Sequence, residues 1–192
     1  VPVLQKAAEL MKTNANDAVD YLVTTLKPID RSAEKPVDIA HDSHRLETYL
    51  EKKNGNFDDF FITSGFQELD DVIHGFQRGE EFVVLFARTN QGKSWILTKM
   101  LTHAWQIGNN VGFISPEMSA DSIGYRFDTL YKHLNNQVLN FGKDTVGYEV
   151  YIEELKERKN KFIVATPSVF DNNITVSRLR SFVLKNDIQF LG

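Results

Sequence analysis

The sequence contains no cysteine, which excludes disulfide bonds and thiolate metal sites. It also lacks a secretory signal and any apolar run that approaches the length of a membrane span, so we expect a cytoplasmic protein without a membrane partner. Its formal net charge of −4 at pH 7 argues against a domain whose whole surface is a basic footprint for nucleic acid, but leaves room for a local basic groove. With 192 residues, of which 42% are hydrophobic and 25% charged, the chain can bury one full core and a smaller appendage.

The most informative segment is residues 87–94, with the sequence Ala-Arg-Thr-Asn-Gln-Gly-Lys-Ser. It directly follows the apolar run 82–86 and directly precedes an amphipathic stretch, which is the strand, loop and helix context of a phosphate-binding loop. In that context, backbone N–H groups and the positive end of a helix dipole converge on phosphates. The alternative is a polar strand-to-helix turn with an exposed lysine, but such a turn has no need of Gly-Lys-Ser at the start of a strong helix.

The residue types in this loop match the chemistry of a nucleoside triphosphate. Gly92 lets the backbone approach the phosphates because it has no Cβ, and Lys93 places a positive charge on the outer phosphates. The Ser94 hydroxyl is a suitable ligand for Mg²⁺, which takes few protein oxygens. The other candidate positions for nucleotide binding are Ala87, Arg88, Thr89, Asn90, Gln91 and Trp95. One departure from the usual pattern is Ala87, which stands where the first glycine is expected.

Three regions are predicted along the chain. The spacing of apolar residues predicts a helical segment over residues 1–28. The sequence of residues 29–56 is typical of a linker that contains one charged helix, which ends at Asn54. This linker region carries a narrow apolar stripe, here called the linker stripe, formed by Ile39, Leu46, Tyr49 and Leu50. A stripe so narrow needs a partner surface.

Residues 57–192 predict an α/β domain. Four apolar segments, each separated from the next by a helical pattern, predict strands. These strands are predicted at 82–86, 111–114, 162–164 and 188–191. Thr63 or Ser64 is predicted to cap a short helix that ends near Gly75, and Ser119 is predicted to cap the helix that follows strand 111–114. Strands that alternate with helices indicate a mostly parallel sheet flanked by helices on both faces.

Glu117 is the second candidate for chemistry. It lies within Ser-Pro-Glu-Met, just past the predicted strand 111–114, and ligands of open α/β sheets bind at the carboxyl ends of strands. A carboxylate there can orient or deprotonate the water that attacks a γ-phosphate. Its position equally supports a second interpretation, in which Glu117 favours the N-terminus of the following helix through the helix dipole.

Four motifs together carry a family resemblance. They are Gly65-x-x-x-Leu69-Asp70, Gly75-x-x-x-Gly79-Glu80, Ala87-Arg88-x-x-x-Gly92-Lys93-Ser94 and Ser115-x-Glu117-Met118. In this combination, residues 57–192 resemble the RecA-like motor domain of the DnaB-type replicative helicases, including their bacteriophage relatives. Phosphate loops in that family commonly begin with Ala-Arg, which accounts for Ala87. The resemblance implies a P-loop NTPase fold, ATP and Mg²⁺ as ligands, and Lys93 and Glu117 as catalytic residues.

The resemblance also implies a function and partners. It implies a motor that hydrolyses ATP and translocates on single-stranded DNA as a homo-hexameric ring, in a bacterial or phage-infected cell, with primase or a helicase loader as further partners. The linker helix would dock on a neighbouring subunit. The Mg²⁺-coordinating aspartate and the DNA-binding loops of the family would lie beyond Gly192, so the chain is expected to be a fragment that ends before the second nucleotide-binding motif.

Two alternatives stay open from the sequence. The first is a nucleotide-dependent switch or helicase-loader-like ATPase that binds a protein partner without unwinding DNA. The second is a recombinase-like ATPase, which Ala87 disfavours because recombinase loops usually begin with glycine.

Overall fold

The computed structural model describes residues 2–12, 18, 21, 37–143 and 146–192. The chain divides into two compact units, Val1–Lys53 and Asn54–Gly192. No helix within the described residues is both long and apolar enough to cross a membrane.

The first unit contains two described helices, α1 (Pro2–Met11) and α2 (His44–Asn54). Of residues 13–36, which cover the rest of the predicted helical segment and the start of the linker, the structure describes only Ala18 and Tyr21. Helix α2 ends at Asn54 as predicted, but it begins after Ile39, which lies in a turn. The cause is local: Asp38 accepts the backbone N–H of Ala40 at 3.0 Å and Asp42 accepts that of His44 at 3.0 Å, so these carboxylates close turns ahead of the helix.

No residue of α2 is buried. The four side chains of the linker stripe are 42–61% exposed. The stripe is therefore an apolar surface on an otherwise charged segment, as the sequence predicts.

The second unit opens with a small antiparallel pair that the sequence did not reveal. Its elements are α3 (Phe57–Phe60), β1 (Phe61–Ile62), α4 (Gln67–Ile73) and β2 (Phe76–Gln77). β1 pairs with β2, with Ile62 opposite Phe76. Helix α4 starts later than the cap predicted at Thr63 or Ser64, because the Asp70 carboxylate accepts the backbone N–H groups of Ser64 and Gly65 and holds those residues in a loop.

The rest of the second unit is a three-stranded parallel sheet flanked by helices, which confirms the predicted RecA-like α/β class. Its elements are α5 (Lys93–Gln106), β3 (Val111–Ile114), α6 (Ala120–Lys132), α7 (Asn136–Asn140), α8 (Tyr148–Lys156), β4 (Phe162–Ala165), a 3-10 helix (Pro167–Phe170), α9 (Val176–Asn186) and β5 (Phe190–Leu191). The strand order is β4-β3-β5, so β3 lies in the centre. Helices α6 to α8 connect β3 to its parallel neighbour β4, and α9 connects β4 to β5 on the opposite side of β3.

Both faces of this sheet are covered. On one face, buried side chains of α5 and α6 pack on β3 and include Leu101, Trp105, Val111, Phe113, Ile123 and Phe127. On the other, Phe182 of α9 packs with Ala165, Phe170 and Ile188. Gly112 in β3 permits this close approach, because a Cβ there would lie 2.7 Å from Ile188 Cδ1 and 2.9 Å from Leu191 Cδ1.

Residues 82–86 form no strand, so that prediction is wrong. The side chains of Phe82 and Phe86 are 90% and 92% exposed. An apolar run becomes a strand only where a neighbouring strand supplies hydrogen-bonding partners. In the described part of the chain, the sheet ends at β5, which is two residues long and does not pair with residues 82–86.

Candidate active site

The predicted phosphate loop has the backbone conformation of an anion-binding turn. Asn90 and Gly92 have φ angles of 61° and 80°, and the Gln91 N–H donates to the Arg88 carbonyl at 3.3 Å. Left-handed residues that alternate with ordinary ones point successive N–H groups into one concavity. A Cβ at Gly92 would meet no atom within 4 Å, so glycine is favoured here by its left-handed φ and not by lack of space.

Helix α5 begins directly behind this loop. Its first i→i−4 bond runs from the Ile96 N–H to the Gly92 carbonyl at 3.0 Å, which leaves the preceding N–H groups outside the helix ladder. The buried Thr98 hydroxyl donates to the Ser94 carbonyl at 2.7 Å and fixes the first turn. Lys93 is exposed and Ser94 half-buried, and among the described residues neither side chain forms a hydrogen bond or ion pair.

Glu117 lies in a short loop between β3 and α6. The buried Ser115 hydroxyl donates to the Met118 carbonyl at 2.8 Å and accepts the Met118 N–H at 2.9 Å. The Met118 side chain packs against the core, whereas Glu117 is exposed and, within the described residues, has no hydrogen-bonding or ionic partner. Ser119 is the N-cap of α6, as predicted, and accepts the Ser122 N–H at 3.2 Å. Glu117 thus precedes the N-cap by two residues.

Packing connects α5 to the end of the sheet that carries Glu117. Gly192, just past β5, lies against α5: a Cβ there would be 2.7 Å from Leu101 Cδ1 and 3.0 Å from Leu97 Cδ1. The Ile114 N–H donates to the Gly192 carbonyl at 2.8 Å. The carboxyl ends of β3 and β5 therefore lie beside Leu97 and Leu101, in the second and third turns of α5. Helices α5 and α6 are also in contact, because the Arg126 guanidinium lies 5.0 Å from the centre of the Trp95 ring.

The structure thus brings Arg88 to Trp95 together as one loop and helix start, and it places Glu117 at the carboxyl end of β3. It does not place Ala87 at the end of a strand, because the run before it is unpaired. Three side chains that organise this region had no predicted role: Thr98, Arg126 and Ser115, of which Ser115 appears above only as a motif position. A hydroxyl that forms a hydrogen bond with a backbone group three or four residues away produces no periodic pattern in the sequence.

A half-buried histidine lies further along α5. His103 Nε2 and Thr63 Oγ1 are hydrogen-bonded at 2.7 Å, which ties the loop before α4 to α5. Burial lowers the pKa of His103, nearby Asp70 raises it by a smaller amount, and Lys99 contributes a further lowering. The imidazole is therefore held in its neutral form at neutral pH.

A second buried polar group joins α6 to α8. The carboxylate of Asp128 accepts the hydroxyls of Tyr148 and Tyr151, each at 2.7 Å. Burial raises the pKa of Asp128, although the two tyrosine hydroxyls oppose this effect. Burial and the adjacent carboxylate raise the pKa of both phenols. A cleft of about 410 Å³ beside Asp128 is lined by neither the phosphate loop nor Glu117, so this cluster is separate from the candidate site.

Comparisons with known proteins agree with this architecture. A family model described as the DnaB-like helicase C terminal domain matches residues 62–190. Among solved structures, the chain is similar to a DnaB-like replicative helicase whose interactions with primase were also described, with 21% sequence identity and a TM-score of 0.50. The match covers 85% of this chain and 40% of that one, and at this identity it shows the fold alone. No curated protein matches the sequence.

Proposed function

Because this chain belongs to the family of DnaB-like helicase C-terminal domains, we propose that it is the nucleotide-binding part of an ATP-driven replicative helicase motor. The observation that carries this proposal is the left-handed loop at Asn90 and Gly92, which leads directly into the start of α5 with Lys93 and Ser94. This loop supplies backbone donors, a helix dipole and a positive charge at one place.

The residues of this loop fit a magnesium nucleotide. The N–H groups of the first turn of α5 are outside the helix ladder and can donate to phosphate oxygens. Lys93 would neutralise charge on the outer phosphates, and the Ser94 hydroxyl would be a ligand of Mg²⁺. Bound Mg²⁺ would stabilise negative charge on the phosphates. Both side chains lack other partners among the described residues, so nucleotide binding would break no existing contact.

We assign to Glu117 the role of orienting and deprotonating the attacking water. Its carboxylate is exposed and unengaged among the described residues, at the carboxyl end of the central strand. The alternative role, stabilisation of the α6 dipole, is weaker on this geometry. Ser119 already caps α6, and Glu117 lies outside the first turn, where a dipole effect decays.

We further propose that the motor assembles as a hexameric ring around single-stranded DNA, with the linker stripe docked on an adjacent subunit. Family membership supports the ring and the DNA track, and the exposed stripe supports the docking. Primase is a candidate partner because the structural relative is described with its primase interactions. A switch or loader would share the nucleotide site, so steady-state ATP turnover and unwinding by the assembled protein separate the two functions.

Nucleotide binding tests the proposal most directly. In the full-length protein, Lys93→Ala should weaken calorimetric binding of Mg-ATP at least tenfold, because phosphate charge loses its nearest side-chain cation. The matched control is Lys99→Ala on the same helix, whose ammonium lies 4.3 Å from the centre of the Phe66 ring. Equal affinities of the two variants for Mg-ATP would contradict the assignment of the phosphate loop.

A further inference from the structure

Ser115 is fixed to the sheet by its backbone. Its N–H donates to the Ala165 carbonyl of β4 at 2.9 Å, and the preceding residue, Ile114, is bonded to Gly192 on the other side. The residue is 2% exposed. Ser115 therefore belongs to the rigid end of β3, although it lies outside the strand.

The Ser115 hydroxyl closes the loop that follows. It donates to the carbonyl of Met118 and accepts the N–H of the same residue, at 2.8 and 2.9 Å. Only Pro116 and Glu117 lie between the two ends of this closed loop, and the proline ring fixes one of their φ angles. The Met118 side chain is anchored in the core, so Glu117 projects from a segment held at both ends.

Capping of α6 does not account for this arrangement. Ser119 performs that role by accepting the Ser122 N–H. Ser115 lies four residues earlier, and both hydrogen bonds of its hydroxyl are made with Met118, which precedes α6. Among residues 115–118, Glu117 alone has an exposed ionisable side chain. The Ser115 bonds therefore determine where the Glu117 carboxylate lies.

We propose that Ser115 is a positioning residue for ATP hydrolysis, which acts by holding Glu117 where it meets the attacking water. This inference rests on the proposed role of Glu117. Phosphoryl transfer depends mainly on positioning and electrostatics, and a displacement of about 1 Å at a reacting group costs up to about a hundredfold in rate. Ser115→Ala removes both bonds to Met118 and frees the loop, but it leaves the phosphate loop untouched.

The expected effect is therefore selective for the transition state. In the full-length protein, Ser115→Ala should lower kcat by about tenfold to a hundredfold with little change in affinity for a non-hydrolysable ATP analogue. Its affinity for ADP with aluminium fluoride, a mimic of the transition state, should fall in parallel. Ser119→Ala is the matched control, because it removes a hydroxyl-to-backbone bond from the same segment and should lower stability without this selectivity.

A double-mutant cycle with Glu117→Gln provides the decisive test, with affinity for ADP–aluminium fluoride as the readout. If Ser115 acts through Glu117, Ser115→Ala should weaken binding of this mimic in the parent protein and have no further effect in Glu117→Gln. Equal losses in both backgrounds, or no loss in the parent, would overturn the proposal alone. Normal turnover by Glu117→Gln would overturn the role of Glu117 and this proposal together. Should Ser115→Ala fail to fold, Pro116→Gly loosens the same loop and must show the same non-additivity.

Discussion

Replacement of Leu46 and Leu50 by glutamate should dissociate the proposed ring while the second unit stays folded. These two leucines belong to α2 and are 61% and 42% exposed in the single chain. Neither contributes to a core, since α2 buries no residue. Any stability that they provide must therefore come from a surface outside their own helix.

The magnitude follows from the exposed fractions. The two leucines together correspond to about one fully exposed leucine, whose burial is worth about 1.5–3 kcal/mol. Loss of that burial alone raises the dissociation constant of one interface about 10- to 150-fold. Two carboxylates add the cost of desolvating charge in the interface, so the real effect should exceed this range.

Light scattering over a dilution series measures the assembly directly. The matched control is Thr48→Glu with Lys52→Gln, which makes the same total change in charge on α2 outside the linker stripe. The control should remain assembled at concentrations where the leucine variant is monomeric, and circular dichroism should show both folded. If the leucine variant stays hexameric at the concentration at which the control is half dissociated, the linker stripe has no docking role.

Two further predictions concern stability. Because burial lowers the pKa of His103 below its ordinary value of 6.5, the folded state resists protonation, so the stability that depends on a neutral His103 is present above that pH and is lost as pH falls below it. The melting temperature should therefore drop between pH 7.5 and 5.5, and less so in His103→Gln; equal drops would contradict this. Separately, Tyr151→Phe should cost about 1–3 kcal/mol in urea unfolding because a buried oxygen of Asp128 loses its donor. Tyr148→Phe, at a more exposed position, should cost less, and no loss in either variant would show that water replaces the hydroxyls.

Local signals made part of this fold predictable. The strand at 111–114 and the Ser119 cap were correct because a short apolar run and a hydroxyl before an amphipathic helix act within a few residues. The run 82–86 has the same local signal, but pairing depends on a distant neighbour that sequence periodicity does not encode. The two-residue strands β1 and β2 are too short to show any period.

The candidate site, like the fold, has some features that the sequence predicts and others that it does not. The phosphate loop could be predicted because the residue types that such a loop requires follow one another directly in the sequence, and nucleotide binding by it stays a prediction. Glu117 was found by its place after a strand, and its catalytic role stays a prediction. The buried bonds of Ser115 and Asp128 were not found, since a serine or an aspartate in a sequence carries no mark of the partner that it meets after folding.

The exposed run 82–86 also affects how this protein behaves at high concentration. Five consecutive apolar residues without charge or proline form a segment that favours intermolecular β-pairing when it is accessible. Glu80 and Glu81 precede this segment and Arg88 follows within two residues. Charges in these flanking positions act as gatekeepers, because stacking of chains in register would bring like charges together. We therefore expect that neutralising the acidic pair and the arginine, for crystallisation or labelling, would favour aggregation.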